Sequence, residues 1–407
     1  MASKPVSLGT FLGVNNRREA ARLQVRLPGN VQATYLRAAE NVDVDGGFMR
    51  RRRGISAALT PRAHSIWGDG ADDGYAVVDG ALVRLALDGD ELQQQALLAG
   101  FTSAPVSFER MPTGAVVWSD GQRLGAIRNG APGELVPEAP NPVPVVNVVA
   151  GALPAGRYLL AFTRVTSAGE SAATQPAQLD LADGSGFVIT GMDAATQVYM
   201  SGPNGDILTA VAGDTILSLT NTGPRCETLL LERMPAGQIV RHYNSSLLVA
   251  RGNMLCRSEP YRYGLWRPGK SFILFPAPIT VMEPCVGGVF VCADRTYWLA
   301  GDLDATAMQP VLPYGGVAGS GTRCGTDDNV RVFWVSPHGL VMGTPDGAAK
   351  AVQEKDLTFS GAARAATLYR EGQGIAQAIF TRQGIRPLAT ASRGFVASEI
   401  HRKETVL

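Results

Sequence analysis

The fold class of this chain is decided by the stretch from Gln238 to Gly301, which reads QIVRHYNSSLLVARGNMLCRSEPYRYGLWRPGKSFILFPAPITVMEPCVGGVFVCADRTYWLAG. It holds two pairs of short apolar runs, Ile239–His242 with Leu247–Arg251 and Ile279–Pro284 with Val289–Ala293. Runs rich in Val, Ile, Leu and Phe that are broken by Asn, Ser or Gly are typical of β-hairpins. The stretch therefore predicts β-structure, and no reacting group stands out in it.

The composition extends this prediction to the whole chain. Of its 407 residues 45% are apolar and 18% are charged, as expected for a folded protein with a large core. The 47 glycines and 25 prolines imply many turns and hence many short strands.

The spacing of the turns indicates the architecture. Asp79-Gly80 and Asp120-Gly121 each separate apolar runs, and Asp-Gly pairs favour type I′ hairpins because both central residues need a positive φ; the run after the second pair closes at Asn129-Gly130. The two turns lie 41 residues apart, and when the segment 137–222 is left out the successive hairpin turns along the chain lie roughly 35 to 50 residues apart, close to the length of one four-stranded propeller blade. We therefore predict an all-β protein, a β-propeller of about six blades.

One segment interrupts the pattern. After the proline-rich residues 137–144, the runs Gly156–Val165, Gly186–Thr190 and Thr196–Ser201 predict strands of a small β-sandwich that resembles a fibronectin III-like module. The predicted organisation is an N-terminal arm with one or two strands (1–62), a first set of blades (63–136), the inserted sandwich (137–222), and further blades with a C-terminal tail (223–407).

Charge is distributed unevenly. Residues 1–62 hold 11 Lys and Arg against 4 Asp and Glu, residues 382–407 hold 5 against 2, and the segment between them has a net charge of −9. The arm carries the residues that we predict to face a partner, Arg17, Arg18, Arg50, Arg51, Arg52 and Arg53. The alternative for the last four is an edge strand protected by charge.

A second candidate surface is the segment Ser258–Pro268. Its Tyr261, Tyr263 and Trp266 are interspersed with arginines, a composition favoured at protein interfaces. The alternative is a long connection folded over the propeller with its rings partly buried.

Reactive groups are sparse. The four histidines lie far apart in sequence, the five cysteines have no metal-like spacing and are expected to be reduced, and we predict neither a metal site nor a cofactor. We also predict no secretion signal and no membrane segment. A glycosidase pair remains an alternative, with carboxylates available at Asp69, Asp72, Asp73, Glu259, Glu283, Asp294 and Asp302.

Several segments resemble structural proteins of tailed bacteriophages, in particular the tail nozzle proteins of short-tailed phages. The similar segments are Phe11–Asn16, Ala38–Val42 with the run up to Gly54, Asn244–Gly252, Ser258–Pro260, Phe275–Thr280 and Val286–Gly301. The resemblance implies a non-enzymatic virion subunit, made in the bacterial host cytoplasm, that forms a homo-hexameric ring in the tail.

The resemblance also implies partners. They would be an adaptor or neighbouring tail ring, tail fibres, and the double-stranded DNA that passes through the ring, which the subunit would help to retain until ejection. An acidic body would let DNA slide, and basic arms would dock on an acidic neighbour. A tail-tip propeller that binds a receptor or glycan is the main alternative.

Overall fold

The computed structural model describes residues 10–38, 42–45, 47–51, 59, 62–68, 74–88, 91–219, 223–303, 308–325, 330–352, 362–372, 375–384 and 396–402. This part of the chain is all-β, with a single 3-10 turn at Ala20–Arg22 and no α-helix. It contains no helix with the length and apolar character needed to cross a bilayer. The chain divides into two compact units, residues 59–274 and residues 1–58 with 275–407.

The N-terminal arm holds more strands than the one or two predicted from the sequence. They are β1 (Thr10–Val14), β2 (Gln24–Leu27), β3 (Val31–Leu36), β4 (Val42–Asp45) and β5 (Phe48–Arg51). β3 pairs parallel with β1 and antiparallel with β2, and β4 and β5 form a hairpin.

The unit of residues 59–274 begins with two four-stranded antiparallel sheets in which each strand pairs with the next along the chain. The first comprises β6 (His64–Gly68), β7 (Gly74–Val78), β8 (Ala81–Asp88) and β9 (Glu91–Ala99). The second comprises β10 (Ser107–Arg110), β11 (Val116–Ser119), β12 (Leu124–Arg128) and β13 (Ala131–Glu134).

A β-sandwich follows in the same unit. Its strands are β14 (Val145–Leu153), β15 (Gly156–Thr166), β16 (Gly169–Glu170), β17 (Ala177–Leu181), β18 (Ser185–Thr190), β19 (Thr196–Met200), β20 (Thr209–Val211) and β21 (Thr215–Ile216). One sheet has the order β14-β18-β21, and the other has β16-β15-β19-β20 with β17 also paired to β15. Tyr158, Phe162 and Phe187 are fully buried in a core shared by both sheets.

The last sheet of this unit has six strands. They are β22 (Glu232–Arg233), β23 (Ile239–Tyr243), β24 (Ser246–Arg251), β25 (Met254–Glu259), β26 (Arg262–Trp266) and β27 (Phe272–Leu274). β23, β24 and β25 follow one another, and both β26 and β27 pair with β25.

The other unit holds three further antiparallel sheets whose strands again pair in sequence order. The first comprises β28 (Val281–Cys285), β29 (Gly288–Cys292), β30 (Thr296–Ala300) and β31 (Gln309–Leu312). The second comprises β32 (Thr322–Cys324), β33 (Arg331–Ser336), β34 (Gly339–Gly343) and β35 (Ala349–Ala351). The third comprises β36 (Ala362–Gly372), β37 (Ile375–Gly384) and β38 (Val396–Arg402).

Successive side chains of a strand point to opposite faces of its sheet, so one sheet can pack against a neighbour on each face. Sheets within each unit stack in this way. In β11, Val116 and Trp118 pack in one core with residues of β7 and β8, whereas Val117 packs in another with residues of β23 and β24. In β33, Trp334 packs against the β28–β31 sheet, and Phe333 lies in a cluster that includes Tyr369 of β36. Sheets that are apolar on both faces and stack in this way are consistent with a β-propeller.

Candidate interaction surfaces

The first surface is the stretch after β1 that carries Arg17 and Arg18. The side chain of Asn15 is fully buried, and its Oδ1 accepts the backbone N–H groups of Arg17 at 3.2 Å and Arg18 at 3.0 Å. The Arg18 guanidinium lies 4.8 Å from the centre of the Tyr35 ring, a cation–π contact. Asn15 and Tyr35 therefore fix this turn, although the arginines themselves lie at the surface.

These two arginines line an open cleft together with Glu19 and Arg22. Glu19 lies 3.9 Å from Arg22, and both side chains are 80% exposed, so this ion pair contributes little to stability. The cleft thus presents three guanidinium groups and one carboxylate to solvent. Such a surface is suited to an acidic partner, because exposed arginines bind carboxylates and phosphates in a bidentate manner.

The structure describes only part of the second arginine cluster. Arg50 and Arg51 lie on β5, where their backbones pair with Asp43 and Val42 of β4. Arg52 and Arg53 lie outside the described residues. Phe48, at the start of β5, is 79% exposed and adds an apolar group to the hairpin tip.

The aromatic segment is a hairpin, not the long connection considered from the sequence. β25 ends at Glu259 and β26 begins at Arg262, with Pro260 and Tyr261 between them. Tyr261 has a φ of 59°, is 80% exposed, and donates its N–H to the carbonyl oxygen of Ser245 at 2.7 Å. Proline followed by a residue of positive φ is the pattern of the two central residues of a type II turn, and the second of these is usually glycine. The ring is therefore held outward on a conformationally unfavourable backbone.

The arginines beside this ring have acidic partners within the chain. Arg262 forms an ion pair with Glu227, and the Nε of Arg267 lies 3.6 Å from Oε1 of Glu259. Glu227 lies outside the hairpin and was not singled out from the sequence, since no local pattern links it to Arg262. The surface around Tyr261 therefore consists of an aromatic ring and paired charges.

The other two rings of the segment are less accessible than predicted. Tyr263 packs edge to face with His242 at 5.8 Å, and burial raises the pKa of its hydroxyl. Trp266 is only 8% exposed and packs in a core cluster with Met111 and Val240. The prediction that Trp266 contacts a partner is therefore corrected: a neighbouring sheet covers it, which a sequence pattern could not reveal.

The carboxylates considered for glycoside hydrolysis are distributed over several elements. Glu283 is 1% exposed on β28, and its Oε2 lies 3.7 Å from Nε of Arg323 on β32. Asp294 accepts hydrogen bonds from the Tyr297 hydroxyl at 2.8 Å and from Arg295 at 3.0 Å. Glu259 is paired as described above, and Asp69, Asp72 and Asp73 lie outside the described residues. The contacts of Glu283, Asp294 and Glu259 are ion pairs and hydrogen bonds within the fold.

Few side chains in the described residues are arranged for metal-binding or redox chemistry. No group of three or more His, Cys, Asp or Glu side chains is arranged there to hold a metal ion. The cysteines are free thiols, and Cys256, Cys285, Cys292 and Cys324 are buried. Burial raises the pKa of Cys285 to about 11 and that of Cys292 to about 12, so these thiols stay protonated and unreactive at neutral pH.

In comparisons with known proteins, no family model and no curated protein matches the chain. Solved structures do match. A complex of BBS1N with ARL6DN, soaked with lead, is 12% identical with a TM-score of 0.31 and covers 81% of this chain and 90% of its own. The AfRom2 CNH domain is 9% identical with a TM-score of 0.29, covering 81% and 94%.

A catalytically inactive virginiamycin B lyase from Staphylococcus aureus, solved with quinupristin, is 11% identical with a TM-score of 0.29 and covers 80% of this chain and 94% of its own. Likenesses at this level of identity and TM-score carry no functional inference. The described part of the chain is all-β, and its sheets are antiparallel except for the pairing of β1 with β3.

Proposed function

We propose that this chain is a structural subunit of a bacteriophage tail, a β-propeller of about six blades that assembles into a ring, with six copies extending the DNA channel. Apart from the sandwich and the arm, each compact unit contains three antiparallel sheets among the described residues, which supports the blade number. The sandwich of β14–β21 is the inserted fibronectin III-like module. The subunit has no catalytic role and resides in the virion after synthesis in the host cytoplasm.

The observation that carries this proposal is the basic cleft of the arm. Arg17 and Arg18 lie on a turn whose backbone is fixed by a buried asparagine, and Arg22 of the adjacent 3-10 turn lines the same cleft. A fixed turn presents charge without losing much conformational entropy on binding, which favours docking on an acidic surface of a neighbouring subunit or tail ring. In the proposed ring this surface belongs to the segment between the basic ends of the chain, whose net charge is −9.

The proposal is tested by the mass of the full chain in solution, measured by light scattering. The mass should fall from that of the ring to that of one or two copies of the chain on deletion of residues 1–54, and also in the double variant Arg17→Glu with Arg22→Glu, which leaves the arm strands intact. Lys350→Glu, an exposed charge reversal on β35 of the same unit, should leave the mass unchanged. A ring that survives both arm changes would contradict the proposal.

Tyr261 favours a second candidate function, receptor or glycan binding at the tail tip. A ring that is 80% exposed and held on a left-handed backbone is a ready platform for a sugar face or a protein contact. Tyr261→Gly keeps the turn and removes the ring, so host binding should weaken by about tenfold or more if the ring is the contact. Unchanged host binding in this variant would dismiss the second candidate.

A further inference from the structure

β14 lies at the edge of its sheet. It pairs with β18 on one side, and among the described residues no strand pairs with its other side. Val145 is 59% exposed and Val148 is 52% exposed, so solvent reaches this strand. An edge of this kind presents unpaired backbone N–H and C=O groups, which are a template for a further strand.

The register shows which groups face the open edge. The backbone N–H of Ile189 in β18 donates to the carbonyl oxygen of Asp214, which lies on the β21 side of the strand. The backbone groups of the alternate residues Val188 and Thr190 therefore face β14. Their partners on β14 are Asn147 and Val145. Because backbone groups alternate along an antiparallel strand, the N–H and C=O of Val146, Val148 and Ala150 point away from β18.

The strand lacks the charged residues or proline that several other outer strands carry. β9 carries Glu91, β13 carries Glu134, β31 carries Pro310 and β35 carries Lys350, as edge strands usually do. In contrast, β14 reads VVNVVAGAL, and no charged residue occurs between Glu138 and Arg157. An uncharged, valine-rich edge that is left unprotected points to an occupant that is itself uncharged and apolar.

The most direct such occupant is the same strand of another copy. We propose that β14 pairs antiparallel with β14 of a second copy about a two-fold axis at Val148. This register sets Val148 opposite Val148 of the second copy and Val146 opposite its Ala150, and each residue presents both backbone groups to its partner. Three such pairs give about six backbone hydrogen bonds.

The side chains fit the same arrangement. Val146 packs against the sandwich core, and Val148 and Ala150 share its face of the strand but are exposed. In the paired form the two Val148 side chains would lie about 5 Å apart and extend the apolar core across the axis. The contact is isologous, as two-fold interfaces between identical chains are.

The self-paired position gives a sharp test on the full chain. In Val148→Lys or Val148→Glu alone, two like charges meet on the axis, and the mass from light scattering should fall by half relative to the unaltered chain. An equimolar mixture of the two variants sets Lys against Glu and should restore the mass. Val145→Lys is the matched control, because Val145 is equally exposed but its backbone groups face β18 and it lies outside the paired segment.

The proposal is overturned if the Val148 variants have the same mass as the unaltered chain, or if the mixture does not recover it. The latter result would mean that a different strand occupies the edge. Hydrogen exchange gives an independent measure: the peptide spanning Val145–Leu153 should exchange more slowly at high protein concentration in the unaltered chain and in Val145→Lys only. Repeating both measurements without residues 1–54 separates this contact from the arm-dependent ring, since the pair should persist when the ring is lost.

Discussion

Gly125 provides a direct test of how closely the strands of a sheet pack. It lies on β12 opposite Trp118 of β11, and the indole lies across the glycine. A Cβ added at Gly125 would lie 2.6 Å from Cζ2 and 2.7 Å from Cε2 of Trp118, and 2.9 Å from the carbonyl oxygen of Gly133. These distances are well inside van der Waals contact, so Gly125→Ala forces atoms to move.

The expected cost follows from what surrounds the indole. Trp118 is 4% exposed and packs against Phe101 at 5.2 Å between ring centres, so the ring has little room to swing away. The other obstacle is a carbonyl oxygen in the β12–β13 ladder, which moves only if that ladder opens. Overpacking of this kind typically costs 1–3 kcal/mol, and we expect about 3 kcal/mol here. For a unit of this size that corresponds to a fall in Tm of roughly 10 °C.

The assay is thermal unfolding followed by circular dichroism and by tryptophan fluorescence. Gly133→Ala is the control, because Gly133 lies on the adjacent β13, has an ordinary φ, and has no atom within 4 Å of an added Cβ. Its Tm should change by less than about 2 °C, as expected for surface substitutions. If Gly125→Ala lowers the Tm no more than Gly133→Ala does, the packing of the indole on the glycine is wrong.

Three further predictions concern buried charge, buried thiols and backbone strain. Arg323→Met removes the cation beside buried Glu283 and should lower the free energy of unfolding by about 2 kcal/mol, a figure reduced because the arginine is partly exposed. In urea unfolding, the double variant Arg323→Met with Glu283→Gln should recover at least half of this loss. Burial raises the pKa of the Cys292 thiol from 9.0 to about 12 in the folded chain. The resulting contribution to the free energy of unfolding is complete below pH 9 and is lost as the pH rises toward 12. Between pH 9 and 10.5 the urea midpoint should therefore fall more steeply in the unaltered chain than in Cys292→Ala. Tyr261→Gly should leave the free energy of unfolding within about 1 kcal/mol of the original or raise it, because the relief of the left-handed tyrosine offsets the entropy of the added glycine; a loss well beyond that would mean that the ring supports the fold.

The hairpins were predictable because their signals are local. Asp79 and Gly80 have φ values of 50° and 79°, which confirms the type I′ turn expected from the sequence. Asn129 and Gly130, where no turn type was predicted, have φ values of 51° and 77°. Strand positions followed in the same way from apolar runs, since alternation depends only on near neighbours. The all-β class could therefore be predicted.

The turn at Asp120-Gly121 shows where local signals mislead. Only Gly121 has a positive φ, so the predicted type I′ geometry is wrong there. Oδ1 of Asp120 instead accepts the backbone N–H groups of Gln122 at 2.9 Å and Arg123 at 2.6 Å, and the Arg123 guanidinium pairs with Oδ2. The carboxylate closes this turn through its side chain, a choice that the dipeptide alone does not determine.

The candidate surfaces were predictable in composition but not in exposure. Tyr261 and Trp266 are five residues apart in one aromatic segment, yet the first is 80% exposed and the second is 8% exposed. What separates them is long-range: Trp266 packs with Met111 and Val240, residues that are distant in sequence. The open edge of β14 likewise depends on which strands pair, so an ordinary valine-rich run gave no sign of it.

The two proposed self-contacts differ in their physical basis, and salt separates them. Guanidinium groups in the arm cleft act through charge at the solvent boundary, where screening over about 8 Å at physiological ionic strength weakens them. The β14 pair is made by backbone hydrogen bonds between uncharged strands, so added salt should leave it intact or strengthen it through its apolar side chains. A chain that uses both contacts would therefore pass from large assemblies to pairs as salt rises, whereas one that uses neither would keep a single mass throughout.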